Sequence, residues 1–368
     1  MGNSPAACSS HPRRSPLVAR RASLAARRSP PRLMWTAMAT AVRLCDQVGR
    51  IIAGGPGVTT VTVSPIAPIV PGSRPRRSES LLGLALMAGG MFIFSAVDTQ
   101  AKFLTQTLPS VQIVWCRQLG LLIGVIVLIA MRGTSVLHTK QPVLQITRGG
   151  LAAGSALLFI IAVSYVPLAD AVAVSFIAPF VVTVLGALIL GERVGLRRWA
   201  AVTIGFLGSM IVIRPGLGAL HPAVMLVVVA AILFALRQIL SRALADTDRT
   251  STTIAYTALV GSFLLTLPLP FIWQWPGSTF EILLLTSIAV MAAGAEILVI
   301  KALEVAQAVV VAPVQYSLII WGTAYGYFVF GQFPDMWTWI GAVIIIASGL
   351  YTLQRDAKAS TTRVATDE

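Results

Sequence analysis

From Leu81 to Leu353 the chain is one apolar run after another, each broken by a cluster of charged residues, prolines or glycines. Each run is long enough to cross a bilayer, at roughly 20 residues for about 30 Å of hydrocarbon. Breaks at these clusters predict ten helices over residues 81–104, 110–131, 146–166, 168–190, 197–213, 222–243, 252–273, 280–302, 306–330 and 337–354. The connections are short, as at Pro167 and from Gly331 to Asp335, so consecutive helices are expected to be antiparallel neighbours. The expected fold class is therefore all-α integral membrane, with ten transmembrane helices.

The first 78 residues follow a different pattern. They carry twelve arginines against a single acid, Asp46, with proline and serine between them, a composition that builds no core. The run Ile51 to Val70 is apolar, but Gly54, Gly55, Pro56, Gly57, Pro65 and Pro68 would leave backbone groups unpaired in hydrocarbon, so it is not read as a span. An Arg-rich, Ser-rich, acid-poor leader is like an organelle transit peptide, and Arg27-Arg28 before a mildly apolar stretch is like a twin-arginine signal. The reading preferred here is a disordered extension, or a gene start placed upstream of a true beginning at Met34, Met38 or later.

Composition agrees with the apolar pattern. With 56% hydrophobic and 11% charged residues in 368, the chain cannot cover a water-exposed surface. The net charge of +14 is concentrated in the leader and the connecting loops, which suits membrane orientation better than a nucleic-acid face, and no nucleic-acid partner is expected. An N terminus inside puts Arg132, Lys140, Arg148, Arg193, Arg197, Arg198, Arg242, Arg249, Lys301, Arg355 and Lys358 on the cytoplasmic side, and leaves only Lys102 and Arg214 outside. Both termini are then cytoplasmic and the membrane is the inner one. Cys8, Cys45 and Cys116 show no C-x-x-C spacing, and the three histidines lie far apart, so neither a disulfide framework nor a metal site is expected, and no cofactor.

Sliding the chain against itself by 140 residues aligns the first five spans with the last five. Ala152-Ala153-Gly154 meets Ala292-Ala293-Gly294, Gly186 and Gly191 meet Gly326 and Gly331, and Trp199 meets Trp339. Leu158, Ile160 and Ala162 likewise meet Leu298, Ile300 and Ala302. Apolar coincidences are cheap in this composition; recurring Gly and Trp at one offset are not. Five is odd, so the second copy enters the membrane from the opposite side, the inverted-topology repeat of secondary transporters, whose site lies near the midplane between the halves. The expected units are a first repeat over 79–216, a second over 217–356 and a cytoplasmic tail over 357–368.

The stretch Pro179 to Pro215, PFVVTVLGALILGERVGLRRWAAVTIGFLGSMIVIRP, resembles the helix-GE-loop-helix signature that closes each repeat of EamA-type transporters in the drug/metabolite transporter superfamily. The resemblance covers 81–354. The second half departs from the pattern: Gln332 stands where glutamate is expected, giving GQFPD, and Ile319 falls where the first copy has Pro179. The resemblance implies alternating-access carriage of amino acids, nucleobase-like compounds, vitamins or drugs. Within the superfamily, FSAVDTQAKFL followed by WCRQ is similar to bacterial carriers of S-adenosylmethionine or riboflavin.

An ionisable side chain in hydrocarbon costs roughly 2.5–3.5 kcal/mol, so each one in a span asks for a partner or a wet cavity. Asp98 and Arg117 come to lie at similar depth in the outer half, and Arg237 and Glu296 in the inner half, so each pair is expected to close its side in turn. Asp98 has an alternative in an i, i+4 pair with Lys102, and Arg237 in snorkelling past Ser241. Glu296 is the candidate proton-coupling carboxylate, with a structural hydrogen bond as its alternative. Gln238 stands beside Arg237 as a further polar candidate, and Gln315, Tyr316 and Trp321, with Ser317, are expected to form a binding wall that stacks a flat solute. Tyr165 and Asp170 bracket Pro167 as helix caps. The G-x-x-x-G pairs Gly120/Gly124, Gly150/Gly154 and Gly322/Gly326 are read as close-packing devices.

The expected function is thus a secondary transporter for a small polar or aromatic metabolite, with the lipid bilayer and protons as its other partners. An intramembrane hydrolase lacks a histidine in any span, so no enzyme is expected; a channel or a non-transporting sensor is the alternative.

Overall fold

The computed structural model describes residues 77–189, 195–213, 221–244, 247–306 and 311–366. The leader, the GE turn at Gly191-Glu192, Arg193 and Arg214 lie outside the described residues. The described chain is helical, with no strand among the described residues.

The first half holds α1 (Arg77–Leu104), α2 (Ser110–Arg132), a 3-10 turn (Thr134–Leu137), α3 (Pro142–Val163), α4 (Leu168–Ser175), α5 (Ala178–Ile189) and α6 (Leu196–Ile213). The second holds α7 (Val224–Leu244), α8 (Thr250–Thr266), α9 (Leu269–Ile272), α10 (Thr279–Val305), a 3-10 turn (Ala312–Tyr316), α11 (Ser317–Phe330) and α12 (Met336–Thr366). Six stretches are long and apolar enough to cross a membrane: Leu81–Leu104, Ser110–Arg132, Pro142–Val163, Leu168–Ile189, Val224–Leu244 and Thr279–Val305. Shorter apolar helices run over Trp199–Ile213 and Met336–Tyr351. Phe271, Trp275, Leu188 and Phe328 stand more than three-quarters exposed, which suits lipid rather than water.

Local chemistry sets the ends. Pro109 and Pro167 hold extended backbone ahead of α2 and α4. Gly133 at φ 76° and Gly331 at φ 65° stop α2 and α11 in the left-handed region that glycine tolerates, and Gln332 N–H closes the last turn of α11 on the Gly326 carbonyl. Ser278 caps α10 by accepting from Glu281 N–H at 3.2 Å.

Five spans differ from the bounds that periodicity predicts. The third begins at Pro142, with proline in its first turn, which sets Arg148 one turn deeper in the helix than a start at residue 146 would. The fourth breaks between α4 and α5 at Phe176 and Ile177, because Pro179 has no N–H to continue the ladder. The seventh breaks at Pro268, and the ninth opens as a 3-10 turn around Pro313. The helix of the tenth runs on to Thr366 rather than stopping at 354.

Packing runs between the halves far more than within them. The dominant contacts are α1 on α10, α3 on α7 and α6 on α12, followed by α2 on α10, α3 on α8 and α2 on α8. α11 lies on α1, and α4 and α5 lie on α7. Small residues allow these approaches. A side-chain carbon on Gly120 would overlap the Ala289 carbonyl oxygen, and one on Gly149 would come within 2.8 Å of Val260. At α6 and α12, Gly341 sits against the Gly208 carbonyl and Val212, and Ser348 donates to the Ala201 carbonyl at 2.5 Å. Ser155 donates to the Ala230 carbonyl at 2.9 Å, and a side-chain carbon on Gly90 would lie 3.4 Å from the Ala295 carbonyl. Of the other expected G-x-x-x-G positions, a side-chain carbon on Gly124 would meet nothing within 4 Å, and one on Gly150, Gly154, Gly322 or Gly326 would make only ordinary contacts of 3.4–3.5 Å.

Candidate functional site

α1 and α2 run antiparallel, joined by a turn at Thr105 to Pro109. Counting back ~9 Å from the end of α1 and forward ~10 Å from the start of α2 brings Asp98 and Arg117 to one level. The structure joins them: Arg117 Nη1 donates to Asp98 Oδ1 at 2.9 Å. Phe94, one turn back on α1, lies 5.6 Å under the guanidinium. Asp98 is buried and does not pair with Lys102.

The second cluster lies at the level of the opposite end. Arg237 is ~10 Å from the end of α7, Arg148 ~9 Å from the start of α3 and Glu296 ~14 Å from the end of α10. The two arginines are held differently. Arg148 is fully anchored, donating from Nε to Ser241 Oγ at 2.7 Å and from Nη1 to the Thr253 carbonyl and Thr257 Oγ1. Arg237 has its Nε sealed from solvent and forms no hydrogen bond; its guanidinium rests on the Phe234 ring at 4.6 Å. The charge of Glu296 acts on both guanidinia, yet it forms an ion pair with neither. α7 and α10 are not a closely packed pair, each lying instead on a helix of the first half. The ion pair expected between Arg237 and Glu296 is not formed among the described residues. Gln238 is partly buried beside Arg237.

The aromatic wall forms in part. Tyr316 stacks on Phe176 at 5.0 Å and 27°, and Trp321 meets Phe92 edge-on at 5.0 Å. Trp321 Nε1, Ser317 Oγ and Ser95 Oγ are buried without a hydrogen-bond partner, and the Gly322 position lies 4.0 Å from Ser95 Oγ. Three polar atoms thus lie unsatisfied where α1 meets α11, where a solute or water has groups to bind. Gln315 is exposed on the 3-10 turn, away from this cluster.

The periodicity reading overlooked a polar seam joining the halves at the Pro167 end. Lys102, expected at the outer end of the first span, is buried and donates to the Val166 carbonyl at 2.7 Å and to Gln332 Oε1 at 2.9 Å, with its ammonium 5.1 Å from the Phe330 ring. Asp170 is more than a cap: it accepts from Thr338 Oγ1 at 2.9 Å, while Thr338 also bonds Asp335. Tyr165 is exposed and stacks on His221 at 5.2 Å. Nearer the middle, Gln100 bonds Ser287 and donates to Met291 Sδ at 3.3 Å, linking α1 to α10. The visible sequence signal for this seam was Gln332 itself, the departure from the GE pattern.

The sequence profile described as the EamA-like transporter family matches the chain twice, over residues 81–214 and 221–353. The S-adenosylmethionine uptake transporter of Rickettsia prowazekii is 26% identical over 266 residues, which is 72% of this chain and 90% of that protein. The riboflavin transporter of Vibrio cholerae is 34% identical over 226 residues, 61% of this chain and 76% of that one. The pseudopaline exporter of Pseudomonas aeruginosa is 25% identical over 272 residues, covering 72% and 94%. One solved crystal structure superposes over 76% of this chain and 99% of its own with a TM-score of 0.53 at 17% identity, and shares the fold. With the matched stretches taking in both charged clusters, the aromatic cluster and the seam, the chain belongs to the EamA-like transporter family of multi-pass membrane proteins.

Proposed function

We propose that this protein moves a small polar or aromatic metabolite across the inner membrane by alternating access, between two five-span repeats of opposite orientation. The observation that carries the reading is that contacts between the halves recur in mirrored form at the 140-residue offset. Gly120 against Ala289 returns as Val260 against Gly149, and Gly90 against Ala295 as Ala230 against Ser155. Ala201 against Ser348 returns as Gly341 against Gly208. Phe176 and Tyr316 are themselves 140 apart and stack on one another, so an approximate two-fold axis passes between them, where both fourth spans are interrupted. Such an axis in the membrane plane gives the two faces equivalent ways to open.

The S-adenosylmethionine and riboflavin transporters among the relatives support a solute with a flat ring system, and the aromatic cluster suits one. Glu296 is the carboxylate proposed to couple protons. The units are the repeats 79–216 and 217–356, with residues 1–78 as an extension outside the transport machinery.

Two measurements test this. Proteoliposomes holding the full chain are expected to give saturable, competable counterflow of S-adenosylmethionine or riboflavin. Conductance that rises linearly with solute would instead favour a channel. Single-cysteine labelling is expected to find residue 135 and the C terminus inside, and residues 107 and 276 outside. Termini on opposite faces would rule out ten spans.

A further inference from the structure

We propose that the turn between α11 and α12 is a latch that holds the Pro167 end shut, and that the neutral amide of Gln332 keeps its grip loose enough to release. The inference rests on the alternating-access reading above and names the contacts that must break when that end opens. The turn, Gly331 to Asp335, belongs to the second half, and both of its shoulders are bonded to the first. On one side Lys102 Nζ donates to Gln332 Oε1 at 2.9 Å while also donating to the Val166 carbonyl at 2.7 Å. On the other, Thr338 Oγ1 donates to Asp170 Oδ1 at 2.9 Å, with both side chains buried.

Helix ends make Lys102 the hub. Val166 and Gln332 lie just past the C-termini of α3 and α11, where carbonyls carry the negative end of each helix dipole, so one ammonium serves a terminus from each half. Gln332 is itself held in place, because the left-handed Gly331 and the bond from Gln332 N–H to the Gly326 carbonyl fix the start of the turn. Thr338 is fixed at the far side, its N–H bonded to Asp335 Oδ1 at 2.9 Å. A turn pinned in this way moves as one piece with its helices and cannot leave the first half without breaking both contacts. The acceptor at position 332 sets the strength of the grip. The first repeat carries Glu192 at the equivalent place in the sequence, whereas the second carries an amide. A carboxylate there would add a full opposite charge beside a buried ammonium, where attraction is far stronger than in water. That would weight the equilibrium toward one closed face; the neutral acceptor lets both states be visited.

The test reads access to a thiol beneath the latch. Ser95 lies ~14 Å from the end of α1, near the middle of the span, and is buried with its Oγ unbonded, so Ser95→Cys puts the probe there with little change of shape. The full chain carrying it, with Cys8, Cys45 and Cys116 changed to alanine, is labelled by a membrane-impermeant thiosulfonate in right-side-out and in inverted membrane vesicles. The Pro167 side is the one from which a cysteine at residue 107 labels. Thr338→Val, which keeps the shape and loses the hydroxyl, is expected to raise the labelling rate from that side, and Gln332→Glu to lower it, each by about fivefold or more. Neither is expected to change the rate from the other side with the same sign. Either variant decides alone if the other fails to fold. Rates equal to the parent's, shifts opposite to these, or shifts of one sign from both sides, which mark a general loosening or stiffening, would overturn the proposal. Labelling needs no solute, so it separates the latch from the transport reading. Saturable counterflow with unaltered labelling sinks the latch alone, whereas the expected labelling without any flux sinks transport and leaves the latch standing.

Discussion

Arg117→Ala and Asp98→Ala are each expected to abolish transport and reduce folded yield, and the double variant to recover part of what either loses. Asp98 is buried and Arg117 partly so, 2.9 Å apart in a stretch of α1 and α2 apolar enough to lie in hydrocarbon. Deleting one partner leaves the other charged without compensation, a loss of about 3–5 kcal/mol in buried pairs. Deleting both removes the pair together with its desolvation penalty. The loss from Asp98→Ala should be the larger in stability, because Arg117 keeps partial exposure and the Phe94 ring when its carboxylate goes. A double-mutant cycle on unfolding in detergent reads the coupling directly. If the two single effects simply add, the pair is not a unit and the closure it is proposed to make at the Pro167 end fails with it.

The second large effect comes from a single methyl group. Gly120→Ala would drive a carbon into the backbone carbonyl of Ala289, which cannot rotate away as a side chain can, so α2 and α10 must separate. Overpacking of this kind costs about 1–3 kcal/mol or more. Gly124→Ala, one turn on, meets open space and is expected to change stability by no more than about 0.5 kcal/mol, although the two glycines form one G-x-x-x-G pair. Gly149→Ala should resemble Gly120→Ala, since Val260 stands within 2.8 Å of the added carbon. Melting temperatures and monodisperse yield of the three variants decide the matter. Equal losses at Gly120 and Gly124 would show that spacing, not the approach of Ala289, governs the site.

These contrasts show what a sequence can and cannot tell its reader. Segments long enough to span were legible because lipid demands apolar length, and Asp98 with Arg117 was legible because charge in such a segment needs a partner at its own depth. Gly120 and Gly124 were not separable, because which glycine faces a neighbouring helix depends on a rotation that spacing does not carry. Arg148 was read as a cation at the helix end because the span was expected to start at residue 146; a start at Pro142 sets it one turn deeper. The role of Lys102 was hidden because its acceptors, the Val166 carbonyl and Gln332, are far from it in sequence. The unbonded Nε of Arg237 was beyond reach, since an unmade hydrogen bond leaves no mark on composition.

The dominance of contacts between the halves bears on how the protein is made. α1 finds its main support in α10, which begins at Thr279, well over a hundred residues after α1 ends at Leu104. At ribosomal rates of roughly 5–20 residues per second, α1 waits on the order of ten to forty seconds before its partner exists. Through that interval the helices of the first half wait with Asp98, Arg117 and Arg148 already made and the faces that meet the second half bare. Newly made chains are thus at their most vulnerable to membrane proteases midway through synthesis, and a ribosome stalled within the second half leaves a product with no stable fold to fall back on.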